Sequence, residues 1–129
     1  MDGYKRQGLL MKALAHPARL QILEVLRRDG ESCVCHLENI LSQRQAYISQ
    51  QLSRLREAGL VVDRRDGLNV FYSLADDSII RLLEVARQSA TDLAALNGEK
   101  LSFRQLEHDE SCPCTCPNCA VKVDISTVG

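Results

Sequence analysis

The chain has 129 residues, 45% of them hydrophobic and 26% charged, enough for one domain with a real core. Only 4% are aromatic and none is Trp, so the core must be built from Leu, Ile, Val and Ala, which favours helices. A net charge of −1 excludes a general polycation, and no apolar run approaches the ~18 residues of a membrane helix.

Tyr4 to Ala15 places Leu9, Leu10, Ala13 and Leu14 at helical spacing, and Pro17 closes that run near His16, a structural position at a helix junction. Pro17 suits the first turn of a second helix, Pro17–Asp29, which Gly30 stops. Ser32–Leu41 reads as a short third helix anchored by Leu37, Ile40 and Leu41. After the break at Ser42-Gln43, Arg44–Ala58 is a longer helix with Ile48, Leu52 and Leu55 as its buried stripe and Gly59 as its stop. The period then changes from helical to alternating. Leu60–Arg65 and Asn69–Leu74 flank Asp66-Gly67-Leu68, a hairpin signature. A last helix, about Asp77–Leu96, carries more apolar surface than one small domain can cover.

The division expected from this pattern is a folded domain over residues 1–97 and a cysteine-rich tail over 98–129. The N-terminus has too short an apolar core for a signal peptide, so a cytoplasmic protein is expected. In that compartment six cysteines point to metal or redox chemistry rather than structural disulfides.

Two helices joined by a short break, the second rich in hydrogen-bonding side chains, suggest a helix-turn-helix. The expected DNA face is Arg44, Gln45, Tyr47, Ser49, Gln50, Gln51 and Arg54, because Gln pairs with adenine and Arg with guanine or phosphate. The hairpin would add Arg64 and Arg65 as a strap across the adjacent backbone. Charge agrees, since residues 1–75 hold 11 Lys and Arg against 8 Asp and Glu, whereas residues 76–129 hold 5 against 9.

HPARLQILEVL, CVCHLENIL and ISQQLSRLREAGLVVDRRDGLNVFYSL together resemble the ArsR/SmtB family of winged-helix, metal-responsive repressors, over about residues 9–90. The resemblance implies a mainly α fold with a β-hairpin wing, a homodimer closed by the first and last helices, and an operator that is an imperfect palindrome. It also implies a repressor released from DNA by a thiophilic ion on Cys33 and Cys35. Residues two apart on a helix point about 200° apart, so one ion could take both thiols only if the backbone there left helical geometry.

Two sulfurs are an incomplete site. The family's arsenic-sensing branch has a third cysteine where this chain has Glu38, and His36 stands in place of a usual Asp. The remaining thiols are Cys112, Cys114, Cys116 and Cys119, with His108 as a weaker tail ligand. Three sulfurs would suit As(III) or Pb(II), and four Cd(II) or Zn(II). The tail could instead hold an ion by itself. The family's other sensing site, on the last helix, is discounted because this chain offers only Asp76, Ser78, Ser89 and Asp92 there. A thiol redox or persulfide sensor of the same fold is the rival reading. An enzyme is not expected: Cys116-Pro-Asn-Cys119 lacks the βαβ setting of a thiol-exchange motif.

Overall fold

The structure, a computed structural model, describes residues 1–107; Cys112, Cys114, Cys116, Cys119 and His108 lie outside the described residues. Helix α1 (Gly3–Leu14) is capped by Asp2, whose carboxylate accepts the Lys5 N–H at 2.8 Å. Helix α2 (Pro17–Asp29) opens on Pro17, with His16 Nδ1 accepting the Ala18 N–H at 3.2 Å; His16 is thus a helix cap.

The segment expected as one helix over Ser32–Leu41 divides in two. Ser32–Cys33 is a two-residue strand, β1, and helix α3 spans Val34–Leu41. Cys33 is extended at φ −84° and ψ 168°, and its Sγ accepts the His36 N–H at 3.4 Å, so the thiol caps α3 instead of lying within it. Residue periodicity did not reveal this because β1 is defined by pairing with a distant strand, Ser32 opposite Tyr72 and Cys33 opposite Phe71.

Ser42 takes the left-handed conformation (φ 53°) that turns the chain from α3 into α4 (Gln45–Glu57). Gly59, at φ +79°, ends α4 in a Schellman motif: Leu60 N–H donates to Leu55 O at 2.9 Å and Gly59 N–H to Arg56 O at 3.0 Å. Strands β2 (Val61–Asp66) and β3 (Asn69–Leu74) form the hairpin, with Gly67 and Leu68 between the paired Asp66 and Asn69. The sheet is antiparallel in the order β1-β3-β2. Helix α5 (Ser78–Ala95) follows.

The core lies where α2, α3 and α4 meet the base of the hairpin and the first turns of α5. Ile22, Leu23, Val25, Leu37, Ile48, Leu52 and Leu55 are completely buried, and Leu26, Ile40, Leu60, Val61, Ile79 and Leu83 nearly so. This stripe of α4 turns the opposite face of the helix outward. Contact with the core does not stop at residue 97, since Leu106 also packs against it. No helix among the described residues is long and apolar enough to cross a membrane.

Truncating Leu52, at the centre of that core, removes buried methyl groups and leaves a cavity. Leu52→Ala is expected to cost about 2–5 kcal/mol, measured by urea denaturation. Leu68→Ser, at the fully exposed hairpin tip, is expected to stay within about 0.5 kcal/mol of wild type.

Candidate nucleic-acid interface and thiol pair

On α4 the outward face shows Gln45, Gln50 and Arg54 fully, with Tyr47 and Ser49 half-buried and Arg44 exposed at the N-cap. Gln51 does not join them, which corrects the expectation from its polarity. It is only 6% exposed, and Arg19 Nη1 donates to its Oε1 at 3.0 Å. Arg19 also donates through Nε to Ala13 O at 2.6 Å, so it ties the end of α1 to the inner side of α4. A buried amide held in this way is satisfied and takes no part in surface recognition.

Sequence reasoning missed a second basic element beside α4. Arg6 and Lys12 of α1 line an open cleft with Arg19, Gln50, Arg54 and Glu57. Their placement depends on how α1 packs, and nothing in their local sequence signals it.

The two hairpin arginines differ. Arg64 is held by Glu31 through a bidentate pair, Nε to Oε2 at 2.8 Å and Nη2 to Oε1 at 2.9 Å, and its guanidinium lies 5.0 Å from the Phe71 ring centroid. Asp66 approaches at 3.8 Å. Arg65 is exposed and makes no ion pair among the described residues. Arg64 therefore braces the wing against the chain that leads into β1, while Arg65 faces solvent.

Cys33 and Cys35 come together on one side. Cys33 is 6% exposed and packs with Phe71 of β3, and the half-buried Cys35 packs against the same pair. The departure from helical geometry that a shared ion requires is thus already present at Cys33. His36, next in the chain, is buried, and its Nε2 is hydrogen-bonded to Asp29 Oδ2 at 2.8 Å. Among the described residues no group of three or more His, Cys, Asp or Glu is placed to hold a metal ion.

A helix, a turn, a second helix with a polar outer face and a braced hairpin form a winged helix-turn-helix. Residues 16–62 match the family model described as bacterial regulatory protein, arsR family. Over 87 residues the chain is 34% identical to a cadmium resistance transcriptional regulatory protein CadC homolog of Staphylococcus aureus, covering 67% of this chain and 72% of that one. The chain belongs to the ArsR/SmtB family.

It is also 50% identical over 77 residues to the biofilm growth-associated repressor of Agrobacterium fabrum, an alignment covering 60% of this chain and 65% of that repressor. The fold is similar to the homodimeric winged helix-turn-helix DNA-binding domain of a possible ArsR-family regulator from Mycobacterium bovis, with a TM-score of 0.65 and 28% identity over 78% of this chain and 90% of that one. Like these ArsR-family proteins, the chain is a winged-helix transcriptional regulator.

The brace has a pH dependence. The Arg64 guanidinium holds the Glu31 carboxyl below the usual glutamate range. A carboxyl depressed in the folded state stabilises fully above its unfolded pKa, and that contribution is lost as pH falls through the folded value. A carbon-13 NMR titration of Glu31 is expected to give a midpoint that rises in Arg64→Ala. An unchanged midpoint would show that the pair does not persist in solution.

Proposed function

We propose that this regulator is a dimeric repressor that grips operator DNA through α4 and the wing and is released by a thiophilic ion, As(III), Cd(II) or Pb(II). The ion is bound by Cys33 and Cys35 together with one or two of the tail cysteines. The observation that carries this reading is the position of the thiol pair at the junction of α3 and β3, under the braced wing.

The donor set suits such an ion, because soft thiolates select thiophilic metals over oxygen-seeking cations. Cys33 and Cys35 supply two sulfurs, and the third or fourth must come from Cys112, Cys114, Cys116 or Cys119. Coordination would take the place of the Cys33 Sγ hydrogen bond that caps α3. It would also press on Phe71, whose ring meets Arg64. Both changes act on elements that orient α4 and the wing, so ion and DNA would favour different shapes of one joint.

DNA contact is assigned to Arg44, Gln45, Tyr47, Ser49, Gln50, Arg54 and Arg65, with Arg64 as the wing's brace. Dimerisation fits the apolar residues left in solvent on α1 and α5: Tyr4, Leu9 and Met11 on one, and Val85 and Leu93 on the other, followed by Leu96. A two-fold dimer would read an imperfect palindrome, one half-site per α4.

In fluorescence anisotropy with operator DNA under reducing conditions, one of As(III), Cd(II) and Pb(II) is expected to weaken binding about 5–150-fold, a coupling of ~1–3 kcal/mol. Cys33→Ser/Cys35→Ser should abolish that response. If no ion acts while an oxidant or polysulfide does, the pair senses redox state and the ion reading is wrong.

The two neighbouring glutamines provide a separate test. Gln50→Ala should lose ~1–3 kcal/mol of discrimination at one base pair. Gln51→Ala should lower the melting temperature and leave base preference unchanged. Equal changes in base preference would reject this assignment of the helix face.

A further inference from the structure

The segment after α5 does not lead away from the domain. It crosses back over α2 and α5: Arg87 of α5 lies 4.2 Å from the Phe103 ring centroid, and Leu106 packs against the core. Arg28, in the last turn of α2, donates through Nη1 to Leu106 O.

The same guanidinium also grips the next residue. Arg28 Nε and Nη2 donate to the two carboxylate oxygens of Asp29 at 2.8 and 2.9 Å. Asp29 Oδ2 is in turn 2.8 Å from Nε2 of the buried His36, the residue after Cys35. A continuous polar chain, Leu106 O to Arg28 to Asp29 to His36, therefore joins the strap after α5 to the first turn of α3.

We propose that this strap delivers the tail thiols to the Cys33–Cys35 pair of their own subunit, so that each subunit completes its own ion site and Arg28 is its positioning residue. The inference rests on the shared-thiolate reading above and adds which chain supplies the remaining sulfurs.

Distances make the route sufficient. Three hydrogen bonds of ~2.9 Å and the width of one guanidinium put Leu106 O within about 11 Å of His36 Nε2. From there to the Cys35 Cα is roughly 9 Å more, one imidazole side chain and one ~3.8 Å Cα step. Six residues separate Leu106 from Cys112, and six extended residues span about 20–22 Å. Cys112 can thus meet Cys35 even along the longest route, and the later three cysteines have slack. The strap is held by its own α2 and α5, which places the start of the tail beside its own α3. Ion binding displaces the thiol protons to solvent and needs no other reactant.

Mixed dimers test the assignment. One subunit carries Cys33→Ser/Cys35→Ser and the other Cys112→Ser/Cys114→Ser/Cys116→Ser/Cys119→Ser; the two bear different tags and are purified as the mixed species. The readout is Cd(II) titrated alone, followed by the thiolate-to-metal charge-transfer band. The mixed dimer is expected to bind at least tenfold more weakly than wild type, as weakly as either parent dimer. Recovery of one wild-type-affinity Cd(II) per mixed dimer would overturn the assignment, because only sulfurs from both subunits could then form the site. Wild-type affinity in either parent dimer would instead reject the shared site itself.

A second measurement uses the unaltered sequence, so it does not depend on any variant folding. Dimers mixed from nitrogen-15-labelled and unlabelled subunits are treated with a short dithiol-bridging alkylator and digested. Bridged Cys35–tail peptides of a single isotope support the proposal. Bridged peptides of mixed isotope overturn it.

Discussion

Two backbone pairs between β1 and β3 hold the joint on which the rest of this protein turns. By setting Ser32 opposite Tyr72 and Cys33 opposite Phe71, they tie the entrance of the helix-turn-helix to the middle strand of the wing. They also pull Cys33 out of α3, where its sulfur can cap the helix and meet Phe71. Without this pairing the hairpin would be a two-stranded ribbon, marginal on its own. With it, the hairpin is the outer part of a three-stranded sheet braced by Glu31 and Arg64.

The polar face of α4 is arranged from inside. Ile48, Leu52 and Leu55 fix the rotation of the helix about its axis, and the residues opposite them are exposed as a consequence. Gln51 lies one residue from Leu52 and is drawn inward because Arg19 offers it a donor that water would otherwise supply. Arg19 in the same way fixes α1 against α4 and brings Arg6 and Lys12 to the edge of the polar face. A few buried contacts thus set the whole pattern of surface charge around the second helix.

At the other end of α2, Arg28 and Asp29 carry a second link, from the segment after α5 to His36 and so to the residue beside Cys35. Asp29 raises the Arg28 guanidinium further above its ordinary range, as a close bidentate carboxylate should. The thiol pair is thereby held from two directions, by the wing through Phe71 and by α2 through His36. An ion acting at this point would meet both the DNA-reading elements and the anchor of the cysteine-bearing tail.

The order of the helices, the hairpin and the break before α4 were legible in the sequence, because each depends on local spacing: apolar residues at helical intervals, Pro17 at a helix start, Gly59 at a helix end, Asp66-Gly67 in a turn. So were the family resemblance and the chemical character of the thiols, which follow from residue type. Strand β1, the burial of Gln51, the bracing of Arg64 and the chain from Leu106 to His36 were decided only by tertiary structure. Each joins residues distant in sequence, 33 apart for Glu31 and Arg64 and 78 apart for Arg28 and Leu106. Periodicity reports which side of an element is apolar. It carries no information about which partner waits there, and for a polar side chain the partner decides between core and surface.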